Sequence, residues 1–520
     1  MEKNNIRRMW LADQGDGTYQ NPILYTDYSD PDVIRTGDDY FMVASSFCNV
    51  PAVPLLHSRD LVNWKVINYV MEKLPFERYD QPVHGCGTWA PSIRYHDSFY
   101  YVFVPFPDEG IMMCCTKNPW GKWSEPSFVK RACGWIDPCP FWDEDGKAYM
   151  VNAFAKSRIG FKSMLYISEM DPKCGEILND GKFVYDGHET QPTIEGPKMY
   201  KRNGWYYIFA PAGGVATGWQ TVLRSRNVYG PYEERIVMHQ GDSPVNGPHQ
   251  GGWVETQTGE SWFVHFQDVG NAGRIIHLQP MHWKDDWPVI GEDLEHTGCG
   301  TPVLRHKKPD VGSEYPICSP AESDFFEEKC LGLQWQWNGN PKKNWYEMTG
   351  SGLKLYAQKK RAGECICDMP NLLLQKWPAP EFRITACMEL SDMEEGDFCG
   401  LVSFGGKYAV LCVIVKNGER VLQLWEGEIE TKIEDCKSFQ TIAQDFDRIY
   451  LRMQVKETKK ISFQVSTDEY SFVPVGEEML ASPGKWVGAK AGLAAWNESS
   501  EECRGGSVTF DYFVFEPLEK

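Results

Sequence analysis

Three acidic residues recur at the same point of a repeated sequence motif. Asp30 and Asp137 each precede a proline, and Glu195 precedes a Gly-Pro pair. An Asp before a proline is a common turn device, so for either aspartate alone a structural role is the simpler interpretation. Glu195 has no turn role of that kind, and three acids at matched positions favour a shared site.

A cluster of carboxylates is suited to the hydrolysis of glycosidic bonds. One acid must protonate the leaving oxygen, and another must activate a water molecule. Acids that lie close together also shift one another's pKa values, so that one of them stays protonated near neutral pH. These residue types therefore predict a glycoside-cleaving hydrolase, provided that the fold brings the three acids together.

The three acids can be brought together by a sequence motif that occurs five times in the chain. Each copy has a proline or glycine, a hydrophobic run, a polar turn and an aromatic-rich strand, as in YSDPDVIRTGDDYFMVAS at residues 28–45. Counted from positions 30, 90, 137, 196 and 251, the copies are 60, 47, 59 and 55 residues apart. Apolar runs joined by Gly-Asp, Asp-Gly or Asn-Gly turns indicate hairpins. This period in an all-β chain predicts a five-bladed β-propeller with four strands per blade, in which the starts of the innermost strands converge on the axis.

The C-terminal part of the chain follows a different pattern. A chain of 520 residues is too long for one ordinary core, so we expect two domains. Residues 300–323 are rich in proline and polar residues without clear periodicity, which is typical of a linker. The short alternating strands that follow predict a β-sandwich. We therefore expect a catalytic propeller over residues 1–315 and an accessory sandwich over residues 316–520.

The composition of the chain limits the kinds of partner that it can bind. The net charge of −19 argues against nucleic acid or an anionic membrane surface and is compatible with a neutral substrate. No apolar run approaches membrane-spanning length, and the basic N-terminus lacks the apolar core of a signal peptide. The 17 cysteines include adjacent Cys114 and Cys115 but no C-x-x-C pair, which favours reduced thiols and a cytoplasmic location.

The repeated motifs resemble those of glycoside hydrolase family 43, five-bladed propeller enzymes that act on pentose polymers. The resemblance is carried by NPILYTDYSDPDVIRTGDDYFMVASSF, GTWAPSIRY, WIDPCPFWDEDGKAYM and TIEGPKMYKRNGWYYIF. The C-terminal half resembles the concanavalin-like sandwich of the β-xylosidase-like branch. The resemblance implies an inverting mechanism with Asp30 as general base, Glu195 as general acid, and Asp137 as the carboxylate that orients the acid and tunes its pKa. Inversion requires roughly 6.5–9.5 Å between the carboxyl groups of base and acid.

The resemblance also implies substrate-binding residues. Arg274 matches the family's arginine that contacts the sugar and the acids, although a lone arginine is often a surface ion pair. Trp89 and Phe47 lie where related enzymes wall the terminal sugar, and core packing is the alternative for both. Thr217 and Trp219 lie on a glycine-rich segment, GGVATGWQ, that we expect to rim the pocket unless it is only a surface loop.

No cofactor is implied for catalysis, whereas a structural calcium ion is an open question. His249 matches a histidine that the family holds on the propeller axis, sometimes beside a water or a calcium ion. Asp324 and Asp511 fall where related sandwich modules bind structural calcium. A single histidine is a poor metal signal because calcium prefers oxygen ligands. For the two aspartates, a solvated surface role is the alternative.

The implied activity is the exo-acting release of one terminal pentose, α-L-arabinofuranose or β-D-xylose, from plant cell-wall arabino- or xylo-oligosaccharides. Cys48-Asn49 stands where xylosidase relatives often carry larger or acidic residues, which puts strict β-xylosidase specificity in doubt. Two alternatives are a β-fructosidase-like enzyme with a retaining mechanism and a carbohydrate-binding propeller without catalysis. The oligomeric state, including a homo-oligomer, is not determined by the sequence.

Overall fold

The protein is described by a computed structural model that covers residues 8–173, 175–441, 446–499 and 505–518. Regular structure in these residues is almost entirely β-strand, which confirms the prediction of an all-β protein. They contain one short α-helix, α1 (Lys156–Ile159), and none of their helices is long and apolar enough to cross a membrane. The fifteen cysteines in the described ranges are all unpaired.

The N-terminal part of the chain forms five four-stranded antiparallel sheets, each with its strands in sequence order. Strand β1 (Thr18–Gln20) precedes them. The first two blades contain β2 (Asp32–Thr36), β3 (Asp39–Val43), β4 (Ala52–Ser58) and β5 (Lys65–Met71), then β6 (Ser92–His96), β7 (Phe99–Phe106), β8 (Gly110–Thr116) and β9 (Ser127–Arg131). The third and fourth contain β10 (Trp135–Trp142), β11 (Ala148–Phe154), β12 (Met164–Met170) and β13 (Lys182–Asp186), then β14 (Lys198–Arg202), β15 (Trp205–Ala212), β16 (Trp219–Ser225) and β17 (Glu233–Met238). The fifth contains β18 (His249–Glu255), β19 (Ser261–Asp268), β20 (Arg274–Lys284) and β21 (Trp287–Ile290).

The ring is closed by packing of the last blade on the first. Val33 and Met42 of the first blade share one buried core with Val264 and Phe266 of the fifth. The approach is close at Gly252, where a Cβ atom would lie 2.9 Å from Asp32 Oδ1. In addition, β1 pairs with β22 (Arg305–Lys307), which follows the fifth blade. The five innermost strands β2, β6, β10, β14 and β18 therefore surround one axis, as predicted from the repeat.

The C-terminal part is a β-sandwich of two large sheets, which confirms the predicted fold. Its strands are β23 (Gln336–Trp337), β24 (Tyr346–Met348), β25 (Leu353–Tyr356), β26 (Gln358–Lys359), β27 (Leu373–Lys376), β28 (Phe382–Glu389), β29 (Asp397–Phe404), β30 (Lys407–Lys416), β31 (Glu419–Glu428), β32 (Ile433–Thr441), β33 (Arg448–Lys456), β34 (Lys460–Ser466), β35 (Val473–Leu480), β36 (Lys490–Asn497) and β37 (Ser507–Glu516). One sheet has eight strands, with β23, β27, β36, β29, β30, β31 and β32 in order and β26 beside β36. The other sheet has β24, β25, β37, β28, β33, β34 and β35 in order. Their facing side chains, such as Leu411, Leu451 and Phe513, form one core.

The sandwich is joined to the propeller by specific polar contacts. Val50 and Trp337 exchange reciprocal backbone hydrogen bonds of 3.0 and 2.6 Å. The buried ammonium group of Lys490 donates to Asn49 Oδ1 over 2.7 Å. These contacts bring the sandwich against the first blade, next to the start of the axial channel. The predicted boundary between residues 315 and 316 stays a prediction.

Candidate active site

A cavity of about 300 Å³ lies at one end of the propeller axis. Its lining includes the residue at the start of the innermost strand in all five blades: Asp30, Ala90, Asp137, Glu195 and Gln250. The structure thus brings the three sequence-predicted acids together in one cavity. Gln250 was not predicted, although it occupies the matching position of the fifth repeat copy, directly before a glycine, and an alignment of the copies would have found it.

Asp30 is buried and accepts three hydrogen bonds. Its Oδ2 accepts hydrogen bonds from the hydroxyl groups of Ser29 and Ser45 over 2.9 and 2.6 Å. Its Oδ1 accepts a hydrogen bond of 2.9 Å from a terminal nitrogen of Arg274. The side chain is therefore fixed at the cavity, and Oδ1, which accepts a single hydrogen bond, still has a lone pair for a further partner.

Asp137 and Glu195 both have raised pKa values. Burial raises the pKa of Asp137, and the negative charge of Asp30 raises it further, against the hydrogen bond of 2.8 Å that Asp137 Oδ2 accepts from the Gly196 amide. Burial also raises the pKa of Glu195, followed by the charge of Asp137, whereas Arg274 lowers it. Glu195 keeps a quarter of its side chain exposed, so this acid can meet a ligand. The pair can hold a proton near neutral pH.

His249 is the first residue of β18 and lies beside Glu195. Its Nε2 is 3.3 Å from Glu195 Oε1, and its side chain is fully buried. Burial lowers the pKa of His249 to about 3, and the charge of Arg274 adds to this effect. The imidazole is therefore neutral at physiological pH, and its contact with Glu195 is not an ion pair.

Arg274 opens β20 and reaches the acids from the fifth blade. Besides Asp30, it donates to the Ser29 hydroxyl over 2.8 Å, and its guanidinium carbon lies 4.8 Å from the centre of the Phe266 ring. Its backbone amide donates to Asp27 Oδ1 over 2.9 Å. The arginine is thus a buried partner of the acid cluster rather than a surface ion pair.

Three aromatic rings form one wall of the cavity. Phe47 and Trp89 were predicted, and both line it. The third is Trp486, which comes from the sandwich and stands at 76° to Trp89 with ring centroids 4.9 Å apart. No sequence signal pointed to Trp486, because it lies outside the repeat. The accessory part of the chain therefore contributes to the cavity.

The cavity also has a polar rim, which was missed. Lys156 and Ser157 belong to α1, and Lys162 Nζ donates to Thr193 Oγ1 over 2.9 Å. The positive charge of Lys162 partly opposes the rise in the pKa of Glu195. These residues lie in connections within and after the third blade, where the repeat carries no positional information.

Thr217 and Trp219 do not line the cavity. Trp219 donates from its indole nitrogen to Gln191 Oε1 over 2.7 Å and packs within the core shared by the third and fourth blades. Thr217 is exposed, and its hydroxyl lies 3.4 Å from the carbonyl oxygen of Gly213 within its own loop. The expected pocket rim is formed instead by Lys156, Lys162 and Thr193, because the conformation of that loop is set by its internal bonds.

The two predicted calcium ligands of the sandwich are engaged by protein donors. Asp324 accepts hydrogen bonds from the Phe326 amide over 2.8 Å and from the Trp335 indole over 2.9 Å. Asp511 Oδ2 lies 3.0 Å from a terminal nitrogen of Arg448. Among the described residues, no group of three or more His, Cys, Asp or Glu side chains could hold a metal ion. Both aspartates thus already have partners within the protein, and the structural calcium ion stays a prediction.

Comparisons with known proteins agree with this architecture. The family model for glycosyl hydrolases family 43 matches residues 19–288, and that for the β-xylosidase C-terminal concanavalin A-like domain matches residues 323–516. A putative β-xylosidase of Xylanibacter ruminicola is 40% identical over 92% of this chain and 87% of its own. A non-reducing end α-L-arabinofuranosidase of Bacteroides ovatus is 26% identical over 100% of both chains. The solved structure of the Bacteroides ovatus xyloglucan PUL GH43B superimposes with a TM-score of 0.81 at 25% identity, over 96% of this chain and 100% of that one.

The propeller, the acid cavity and these matches define a glycosidase. The chain belongs to glycosyl hydrolase family 43 and carries the family's concanavalin-like C-terminal domain. The predicted family, fold and enzyme class are therefore confirmed. The two alternatives, a β-fructosidase-like enzyme and a non-catalytic propeller, are not favoured.

The aromatic wall predicts the effect of replacing Trp486. In the variant Trp486→Ala we expect the KM for an aryl pentoside to rise about three- to tenfold, because a ring contact with the sugar is lost. Steady-state kinetics would measure this, with the melting temperature as a check on folding. Trp120→Ala is the matched control, since Trp120 is a partly exposed propeller tryptophan outside the cavity. An unchanged KM for Trp486→Ala would contradict the assignment.

Proposed function

We propose that the protein is an exo-acting, inverting glycoside hydrolase that releases a terminal α-L-arabinofuranose, β-D-xylose or both from plant cell-wall oligosaccharides. The observation that carries this proposal is the convergence of Asp30, Asp137 and Glu195 in one cavity. At about 300 Å³ the cavity is at the small end of ligand sites, which suits a single terminal sugar. Relatives named as a putative β-xylosidase and an α-L-arabinofuranosidase support both sugars.

The three acids take different roles in this mechanism. Asp30 accepts a proton from a water molecule as that water forms a bond to the anomeric carbon. Glu195 gives its proton to the glycosidic oxygen as the bond between that oxygen and the anomeric carbon breaks. One displacement inverts the anomeric carbon, and the roughly 6.5–9.5 Å between the two carboxyl groups that it requires stays a prediction.

Asp137 and Arg274 act on these two acids. Asp137 is held by the Gly196 amide, next in the chain to Glu195, and its negative charge favours the protonated form of Glu195. Arg274 holds Asp30 in place over 2.9 Å and lines the cavity where it can reach a sugar hydroxyl. Phe47, Trp89 and Trp486 provide the apolar wall for the sugar ring.

Three further expectations stay predictions. The unpaired cysteines favour a reducing, cytoplasmic environment. A homo-oligomer is compatible with the fold. A structural calcium ion bound by Asp324, Asp511 or His249 also stays a prediction, although no group of three or more His, Cys, Asp or Glu side chains among the described residues could hold a metal ion.

The stereochemistry of hydrolysis tests the proposed function. We expect the purified protein to release pentose from an aryl β-D-xylopyranoside, an aryl α-L-arabinofuranoside or both. Proton NMR of the first product formed should show the anomer opposite to that of the substrate, because a single displacement inverts the centre. Retention of configuration would refute the mechanism, and the ratio of kcat/KM for the two substrates measures sugar preference.

Substitution of the two principal acids should affect different substrates differently. Asp30→Asn should lower kcat by about 10²- to 10⁴-fold for all substrates, since water activation is always needed. Glu195→Gln should have a comparable effect on natural oligosaccharides and a much smaller one on aryl glycosides with good leaving groups, which need little protonation. Isosteric variants avoid leaving Arg274 buried without a partner. Equal losses of Glu195→Gln on both substrate types would argue against its role as the acid.

The coupled acids also predict a pH shift. Since the charge of Asp137 raises the pKa of Glu195, the variant Asp137→Asn should lower that pKa. Glu195 is active when protonated, so the alkaline limb of the kcat/KM profile should move to lower pH, by about one unit. Asp268→Asn is the matched control, because Asp268 lies 3.8 Å from Arg274 but outside the cavity lining. An alkaline limb that stays in place or moves upward would contradict the coupling.

A further inference from the structure

A second cavity lies at the opposite end of the propeller axis and has a volume of about 450 Å³. It is lined by the far ends of the innermost strands β2, β6, β10, β14 and β18, whereas the catalytic cavity is lined by their starts. Five strand residues span roughly 17 Å, so the two cavities are well separated. Buried side chains lie between them, including the ion pair of Asp32 with Arg94. We call this second site the distal cavity.

The lining of the distal cavity is rich in aromatic side chains. They come from four of the five blades and are Tyr95, Phe141, Trp142, Tyr200 and Trp253. Trp142 is held by stacking on His96, with ring centroids 4.6 Å apart and an angle of 14°, and its indole nitrogen donates to the Pro172 carbonyl over 2.7 Å. Tyr95 leaves 48% of its surface exposed. Trp142 is therefore held in place by its contacts, and Tyr95 presents its ring to solvent at the edge of the cavity.

The charged groups of the distal cavity are already compensated within the protein. Arg94 contacts Asp32 over 2.6 Å, and Lys201 contacts Asp143 over 2.5 Å. Arg35 donates to the carbonyl oxygen of Glu255 over 2.7 Å. The cations Arg35, Arg94 and Lys201 are matched in number by the carboxylates of Asp32, Asp143 and Glu255, so the cavity has no net positive charge to attract a phosphate or another polyanion. The chain's net charge of −19 disfavours such ligands further.

A neutral saccharide fits this combination of groups. The C–H faces of a sugar ring pack on aromatic rings, and its hydroxyl groups bond to polar side chains at the edge of the site. The distal cavity is larger than the catalytic one, at about 450 against 300 Å³, so it takes a segment of more than one sugar unit.

We propose that the distal cavity is a second, non-catalytic binding site for a neutral pentose oligosaccharide. The identity of the sugar rests on the proposed function. Among the residues that line this cavity, Glu255 is the one carboxylate, and hydrolysis requires two. The site therefore binds without cleaving. By holding a polymer strand on the enzyme, it raises the effective concentration of chain ends near the catalytic cavity.

The number of oligosaccharides bound per chain tests this proposal. Isothermal titration calorimetry would be performed with xylotetraose and with arabinotetraose, on the Asp30→Asn variant so that the probe is not hydrolysed. We expect two binding events per chain, and we expect Tyr95→Ala in the same background to weaken one of them by about tenfold. Tyr470→Ala, which removes a tyrosine of the sandwich that is 85% exposed, is the matched control and should leave both events unchanged.

Activity measurements on the wild-type background give an independent readout. Tyr95→Ala should leave kcat/KM for an aryl pentoside unchanged, because this substrate occupies the catalytic cavity alone. The same variant should reduce the release of pentose from polymeric substrate about threefold or more. An equal loss on both substrates would overturn the proposal, since it would show that Tyr95 acts on the catalytic cavity or on folding.

Three other results separate this proposal from the proposed function. If the enzyme releases pentose but its inactive variant binds one tetrasaccharide per chain, the distal site is refuted and the function stands. If no pentose is released but Tyr95→Ala removes one of two binding events, the distal site stands and the function fails. A sedimentation mass that falls from dimer to monomer in Tyr95→Ala would show that a second copy of the chain covers the cavity, and would overturn the saccharide assignment.

Discussion

Burial of negative charge in one cavity is the constraint on which the rest of the site depends. Three carboxylates cannot all be ionised in a space of about 300 Å³ without compensation. The protein neutralises one of them, Asp30, with the buried Arg274 and two hydroxyl donors. It leaves the other two, Asp137 and Glu195, with raised pKa values. The different surroundings of Asp30 and Glu195 thus allow one carboxyl group to act as a base and another as an acid.

The backbone that carries these acids is strained at the starts of the innermost strands. Asp30 and Asp137 adopt φ angles of 57° and 55°, in the left-handed region that costs a non-glycine residue about 1–3 kcal/mol. In the Glu195 motif the left-handed residue is Gly196, with φ of 58°, where a Cβ would also lie 2.7 Å from the Gln250 side chain. Strained backbone at matched positions is a feature of functional sites, and here it accompanies the lining of the cavity by these acids.

The sandwich takes part in the same arrangement through Asp27. One oxygen of this carboxylate accepts a hydrogen bond from the Arg274 amide, and the other accepts one from the Gly488 amide of the sandwich, both over 2.9 Å. Between them lies Gly273, where a Cβ would approach Asp27 to 2.5 Å. The arginine of the acid cluster and the segment that carries Trp486 therefore share one anchor. The C-terminal domain shapes the catalytic cavity as well as bracing the propeller.

The amino-acid sequence by itself determined the five blades, the sandwich and the convergence of Asp30, Asp137 and Glu195. Alternation of apolar residues, turn chemistry and a repeat of about 55 residues can all be recognised from the order of amino acids alone. The tertiary structure alone placed Trp486 at the cavity, assigned its rim to Lys156 and Lys162 instead of the loop of Thr217, and revealed the distal cavity. The position of Trp486 and the composition of the rim depend on the packing of one domain against the other and on loop conformations, and neither leaves a periodic trace in the chain. The distal cavity forms only when closure of the ring brings the far ends of the five innermost strands together.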